Sequence, residues 1–373
     1  MLLSDICEII MGQSPSSDSY NVKGQGLPFF QGNADFGKLY PSVRLWCNCP
    51  IKKAEAGDLL VSVRAPIGAV NLANQKCCIG RGLAALRPYR DKCDAMYLYY
   101  LIKAGKNKLN WLGTGSTFKA ITRSSLLSFN VPDYCIAFQR KISGKLWSVD
   151  KLIHQRNEQL KLFDLLIQSR FLEMFGMSEG IDKHLEDVAD ICSGITKGRK
   201  VLGLELREVP YMAVSNVKMG YIDLSTVKTI MATENEIKQY RLFPNDILMT
   251  EGGDPDKVGR GAIIRNPPKD CIHQNHIFRV RLHKDVLLPE FFEEYLQGNS
   301  ARRYFLKAAK QTTGIASINM KQLRALPVKI PPIKVQIQYS DFVHQVDKSK
   351  LAVQKSLDEL EILKKSLMQQ YFG

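Results

Sequence analysis

Lysine, arginine, asparagine and glutamine gather in the glycine-bearing loops of this chain. In its second half, "TKGRK" offers Lys197, Arg199 and Lys200, and "SNVKMG" offers Asn216 and Lys218. "GGDPDKVGRG" adds Lys257 and Arg260, and "HQNH" adds Gln274 and Asn275. Analogous places in the first half carry Gln13, Gln31, Asn33, Arg64, Arg81 and Lys119. Cations of this kind neutralise phosphates, while Arg, Asn and Gln hydrogen-bond base edges. Any one of them is equally a solvated charge or a turn-forming amide. The totals point the same way as the loops: 52 Lys and Arg against 37 Asp and Glu leave a net charge of +15 over 373 residues. Such a surplus favours a polyanion, nucleic acid first and an anionic membrane surface second. No block of like charge forms a tail, so the charge belongs to folded surfaces.

Other chemistries find less support. "NPPK" (266–269) comes close to the Asn-Pro-Pro-aromatic motif of amino-methyltransferases, but Lys269 cannot stack a flipped base. "GGDPDKVGRG" lacks the G-x₄-G-K-[ST] phosphate cradle. The nine cysteines are an odd number without disulfide spacing, and Cys47/Cys49 and Cys77/Cys78 lack the C-x₂-C knuckle of a zinc site. His273 and His276 read as loop histidines in hydrogen bonds rather than ligands. No nucleophile–base set stands out, so no catalytic residue and no metal are expected. "MLLSDICEII" carries acids where a signal peptide needs a basic start, and no apolar run is long enough to span a bilayer; a cytoplasmic protein is expected.

The elements that must position these loops come in two copies. "LSDICEIIMG" (3–12) lies over "LEDVADICSG" (185–194), "GDLLVSV" (57–63) over "NDILMTE" (245–251), and "CCIGRGLAALR" (77–87) over "CIHQNHIFRVR" (271–281). "GSTFKAITRSSLLSFNVP" (115–132) over "GIASINMKQLRALPVKIP" (314–331) aligns Gly115 with Gly314 and Pro132 with Pro331. Each copy reads as mixed α/β, with strands such as "DLLVSVRA" and "IFRVRL" and helices near "AMYLYYLIKAGKNKL" and "PEFFEEYLQGNSARRYFLKAA".

Behind each copy runs a proline-free ladder of apolar residues at steps of four and three. The first comprises Ile142, Leu146, Val149, Ile153, Leu160, Phe163, Ile167 and Met174, interrupted by Arg156 and Arg170. The second comprises Tyr339, Val343, Val346, Val353, Leu357, Leu360, Leu367 and Tyr371, interrupted by Lys350 and Lys364. So narrow a stripe needs a partner helix to cover it, which predicts a coiled coil of two helices on the order of 50–60 Å long. Both helices close on the same phrase, Ser169 to Gly176 and Ser366 to Gly373, with Phe-Gly last.

Taken together, the order of motifs resembles the specificity subunit of type I restriction–modification systems over essentially the whole chain. "LSDICEIIMGQSP" and "LEDVADICSGITKG" look like the opening of a target recognition domain. "LPFFQGNADFG" and "VPYMAVSNVKMG" resemble the strand and turn that follow, and "AGDLLVSVRAPIG" and "PNDILMTEGG" its Gly/Asn-Asp segment. "TTGIASINMKQLRALPVKIPP" looks like the stretch leading into the long helix, followed in such proteins by a glutamine such as Gln139 or Gln338. The first copy departs from the pattern at "GSTFKAI" and "VSVRAPIG", a divergence that fits two copies reading different half-sites.

The resemblance implies an α+β fold: two similar target recognition domains, residues 1–134 and 184–333, separated by a long antiparallel two-helix coiled coil with pseudo-twofold symmetry. The spacer helices would span 135–176 and 334–373, with a linker at 177–183. It implies a non-catalytic subunit that reads a bipartite double-stranded DNA target with an unread gap, its readers spaced about one helical turn, roughly 34 Å, apart. Two modification (methyltransferase) subunits, and restriction subunits in the full complex, would carry S-adenosylmethionine, ATP and Mg, leaving no cofactor in this chain. Arg156, Arg170, Lys350 and Lys364 are candidates for docking those subunits, together with the outward helix faces. The alternatives are a self-contained DNA methyltransferase or endonuclease specificity protein, and a coiled-coil protein-binding scaffold.

Overall fold

The computed structural model describes residues 1–113, 119–176, 180–199, 205–253, 258–312 and 315–373. The chain divides into two compact units. Unit 1 comprises Met1–Glu158 and Gln354–Gly373; unit 2 comprises Gln159–Val353. The ladder residues form two helices of 40 residues each, Ile136–Phe175 and Ile333–Phe372. Each helix contributes one part to each unit.

Unit 1 is built on a four-stranded antiparallel sheet ordered Cys7–Met11, Leu83–Pro88, Leu59–Ser62, Val70–Leu72. Unit 2 repeats that order with Ala189–Ser193, Ile277–Leu282, Asp246–Thr250 and Gly261–Ile264. The repeat extends to a second sheet. In unit 1, Leu27–Phe30 and Cys77–Ile79 pair in parallel with Phe29 opposite Cys78; in unit 2, Arg207–Met212 and Ile272–His273 do so with Tyr211 opposite Ile272. Cys47, Cys77 and Cys78 are buried, and burial pushes the Cys77 and Cys78 thiols up to about 12, so they serve as small core residues.

A helix covers one face of each four-stranded sheet. Ala95–Ala104 starts at Asp94, whose side chain accepts the Tyr97 N–H at 2.9 Å, and buries Tyr97, Leu98 and Tyr100. Pro289–Gln297 is its counterpart, burying Phe291, Phe292 and Leu296.

One glutamine on each long helix locks the helix to its globular unit. The buried Gln139 amide accepts from Asp94 N–H (3.0 Å) and donates to the carbonyls of Lys92 and Tyr134 (2.9 and 2.8 Å). Gln336 repeats this with Leu288 N–H (2.9 Å) and the carbonyls of Val286 and Pro331 (3.0 and 2.8 Å). The second locking glutamine is therefore Gln336, not Gln338. This register also corrects the alignment of the preceding segment. Thr122 and Asn319 both cap a short helix, and the carbonyls of Phe129 and Leu326 both receive the N–H that opens a helical turn, from Leu3 and Leu185. These pairs shift the Pro132–Pro331 match by two positions. Hydrogen-bond geometry, rather than proline identity, sets the equivalence.

The long helices run antiparallel within each unit. In unit 1, Tyr371 packs edge-on to Phe138 at 6.2 Å, Phe372 lies on Tyr97 at 5.5 Å, and Lys364 reaches Asp150 at 2.5 Å. In unit 2, Phe171 and Phe175 pack on Tyr339 at 5.5 and 5.4 Å and on Phe291 at 5.3 and 4.8 Å, while Lys350 reaches Asp164 at 2.7 Å. The repeated Phe-Gly ending thus has a structural use: each terminal Phe closes the core at the foot of the opposite helix. Residues 181–183, expected as linker, belong to a strand, Ile181–His184, paired with Pro327–Ile330.

Candidate nucleic-acid interface

The sheet register gives each unit two distinct ends. At one end a buried carboxylate meets an arginine in a two-pronged pair. Asp58 takes Arg87 Nε and Nη2 at 3.0 and 2.9 Å, and Asp246 takes Arg281 at 2.7 and 2.8 Å. The carboxylates also accept the N–H of Glu55 and Phe243, both at 2.8 Å. Gly57 and Asn245, the residues just before each Asp, both take positive φ, 92° and 74°. These pairs hold the turn that starts the central strand in the same shape in both units.

The opposite end assembles the predicted contact residues. In unit 1, Met11 sits opposite Ala84 and Ser62 opposite Leu83, so the strand exits at 12–13, the entry turn at 79–82 and the exit at 63–64 lie together. Gln13 N–H bonds Ile79 O, Arg81 N–H bonds Ser14 Oγ at 3.2 Å, Val63 N–H bonds Gly82 O, and Arg64 bridges Ala120 beside Lys119. A side chain at Gly82 would collide with the Gln31 carbonyl, so the turn and the Gln31–Asn33 segment touch through backbone. Gln13, Gln31, Arg64, Arg81 and Lys119 are exposed, with Asn33 half-buried beside them. All six first-half candidates therefore share one surface.

Unit 2 forms the corresponding surface from different residues. Ile195 bridges Gln274, Asn275 N–H bonds Ile195 O, and Ser193 Oγ donates to Asn275 O at 2.5 Å. Lys197 is exposed; Lys218, Arg260, Gln274 and Asn275 are half-buried. The Gln274 side-chain oxygen accepts Val214 N–H at 3.4 Å. Two candidates are taken out of the set by their own bonds. Asn216 is buried, its amide donating to the carbonyls of Asp223 and Thr226 at 2.8 and 3.0 Å and accepting from Ala213 N–H, so it staples the turn. Arg199 is held by both oxygens of Glu236 at 2.6 Å each. Lys200 and Lys257 lie outside the described residues.

The histidines are explained locally. His273 is buried with Nδ1 3.0 Å from Ile277 O, and burial lowers its pKa to about 4, so it stays neutral. His276 is exposed and meets Glu251 at 2.7 Å. Among the described residues no group of His, Cys, Asp and Glu is placed to hold a metal ion.

The seam cations also change role. Lys350 and Lys364 pair with Asp164 and Asp150 on the facing helix, and Arg170 pairs with Glu173 at 2.7 Å while lying over the Phe342 ring. Lys350, Lys364 and Arg170 are thus engaged by the helix pair itself rather than offered for docking. Arg156 is half-buried in the same seam.

Sequence reasoning overlooked Gly12 and Gly194, which end the first sheet strand in each unit. A side chain there would collide with the carbonyls of Gly80 and His273 respectively, so glycine lets the strand exit press against the contact turn. The signal was present: both aligned openings end in glycine.

Comparison with known proteins decides what kind of frame this is. The model of the type I restriction modification DNA specificity domain matches residues 1–162 and again 179–361. The chain belongs to that family. It is 44% identical over 152 residues to the putative type I restriction enzyme MjaX specificity subunit of Methanocaldococcus jannaschii, covering 41% of this chain and 36% of that protein. It is 21% identical to the MjaIX specificity subunit of the same organism, over 98% of this chain and 90% of that one. Against the EcoKI specificity subunit of Escherichia coli the identity is 24% over 73% of this chain and 62% of that subunit. The chain thus spans just over a third and somewhat under two thirds of the MjaX and EcoKI relatives it matches. The solved S subunit of M. genitalium aligns over 100% of this chain and 95% of its own, with a TM-score of 0.60 and 15% identity, a likeness of fold. Each match of the family model takes in one four-stranded sheet with its loop end and runs on into the long helix that follows.

Proposed function

We propose that this chain is the DNA sequence-recognition subunit of a type I restriction–modification enzyme, in the cytoplasm of a prokaryote, with no catalytic step of its own. The observation that carries the reading is the duplicated sheet end: two surfaces of the same construction, lined by different side chains. Residues 1–134 would read one half-site and 184–333 the other, with 135–176 and 334–373 as spacers. Gln13, Gln31, Asn33, Arg64, Arg81 and Lys119 serve the first half-site, and Lys197, Lys218, Arg260, Gln274 and Asn275 the second. Lysines set affinity through phosphates, and Arg, Asn and Gln select bases. Two methyltransferase subunits, with restriction subunits in the full enzyme, bring S-adenosylmethionine, ATP and Mg.

Docking falls to the outward apolar side chains of the long helices rather than to the seam cations. Leu162, Leu165 and Leu166 form one exposed apolar run, and Ile362 and Leu363 another; Leu162 and Ile362 are 62% and 69% exposed. Clustered exposed leucines of this kind call for a covering surface.

Methylome sequencing of cells carrying this chain with its modification subunit tests the proposal. A split motif is expected, and replacing residues 184–330 with those of a relative should change one half of it and leave the other. An unsplit motif, or both halves changing together, would sink the two-reader scheme.

A further inference from the structure

In unit 1 the short helix Lys106–Leu112 carries Trp111 on its outside, 86% exposed. Tryptophan has more apolar surface to lose from water than any other side chain, so this placement calls for an explanation. The mount is firm, because Leu109 on the same helix is fully buried.

The surroundings are cationic. Lys108 lies one turn before Trp111, and Lys106 and Lys108 are both exposed. A side chain at Gly68 would touch Lys106, and one at Gly113 would touch Lys119. Lys119 leads into the Arg64–Ala120 bridge, so the indole borders the contact surface described above. The ion pairs described in the globular part of unit 1 are made by Arg44, Lys76 and Arg87, not by these cations. In unit 2 the matching helix Asn299–Ala308 instead ties the Tyr304 hydroxyl to Gln322 O and buries Phe305.

We infer that Trp111 is a DNA contact, its indole wedged against a base step at the edge of the half-site read by unit 1, with Lys106, Lys108 and Lys119 on the flanking phosphates. The assignment rests on the DNA-reading function proposed above. A flat apolar ring framed by cations that make no ion pair among the described residues matches stacked bases between two phosphate rows. Cores of protein–protein interfaces are instead depleted in lysine, which sets this patch apart from a subunit-docking site.

The test uses the full chain assembled with its methyltransferase subunits, in a Trp46→Phe, Trp147→Phe background that leaves Trp111 as this chain's tryptophan. The probes are a duplex carrying the motif mapped by methylome sequencing and a scrambled duplex. Target binding should change the accessibility of Trp111, read as protection from acrylamide quenching relative to tryptophans of the partner subunits measured with a Trp111→Phe chain. Trp111→Ala should raise Kd about tenfold without changing the slope of log Kd against log salt, and Trp111→Phe should restore most of the affinity. Lys108→Gln should instead flatten that slope by about one phosphate. Unchanged affinity in Trp111→Ala, with its thermal melt as in the parent chain, overturns the assignment even if the motif is still preferred over the scramble. Loss of that preference in the parent complex overturns the DNA-reading function itself.

Discussion

At the loop end of its main sheet, unit 1 presents Arg64, Arg81 and Lys119 outside any described ion pair, whereas unit 2 sets Glu251 against His276 and spends Arg199 on Glu236. At the other end the units agree nearly atom for atom: Asp58–Arg87 and Asp246–Arg281, Gln139 and Gln336. The contrast separates two demands on one frame. The helix-facing end must hold a geometry, so its Asp–Arg pairs and locking glutamines are partnered alike. The loop end must discriminate, so its side chains are free to differ.

The largest expected effect tests the shared end. Asp58→Ala and Asp246→Ala each strand an arginine and one turn N–H group, and each should cost about 3 kcal/mol in urea unfolding of the full chain. Markedly unequal losses would break the equivalence of the two units.

Next come the divergent ends. Arg81→Ala and Asn275→Ala occupy matching turns, and each should relax one base position by about 1–3 kcal/mol. Selection from random duplexes followed by sequencing should show the two relaxations in opposite halves of the target. Both in the same half would contradict one reader per half-site.

A third difference lies in the sheet-covering helices. The helix in unit 2 buries Glu293, which accepts Ile263 N–H at 2.8 Å; that in unit 1, Ala95–Ala104, contains no acid. Burial raises Glu293 to about 7, with Arg265 opposing the shift. The folded state therefore holds a proton that the unfolded chain releases near the ordinary carboxylate value. Its stabilising contribution is full below that value and is lost as pH rises through 7, by on the order of 1–3 kcal/mol. Glu293→Gln should flatten the pH dependence of unfolding between pH 5 and 8, and an unchanged profile would remove Glu293 as its source.

The smallest effect belongs to the seam. Lys350→Ala should cost well under about 1 kcal/mol, since Asp164 is 63% exposed. Lys364→Ala should cost somewhat more, because Asp150 is less exposed and also accepts the Tyr100 hydroxyl at 2.8 Å. Thermal melts of the two variants would rank them.

Periodicity makes the long helices legible in the sequence, because a 4–3 ladder broken only by charges has few other uses. The main-sheet strands are likewise visible as aligned segments, but the Asp–Arg pairs that join them emerge only in the fold. What stayed hidden depended on where side chains point. Asn216 and Arg199 look like free polar groups in a loop, and only the fold shows that their bonds are already made. Lys350 and Lys364 interrupt an apolar stripe, and sequence spacing does not tell a lysine pointing at a partner subunit from one reaching an aspartate on the next helix. Trp111 fits no motif, and its exposure is a property of the folded surface alone.

The residues that seal unit 1 come from distant parts of the chain. Leu367, Met368, Tyr371 and Phe372 join a core otherwise formed within the first 146 positions, whereas unit 2 is one continuous stretch. During synthesis on a ribosome, the second head can therefore finish first. The first head waits, incompletely covered, until residue 372 has emerged, so it is the part most exposed to proteases and chaperones while the chain is being made.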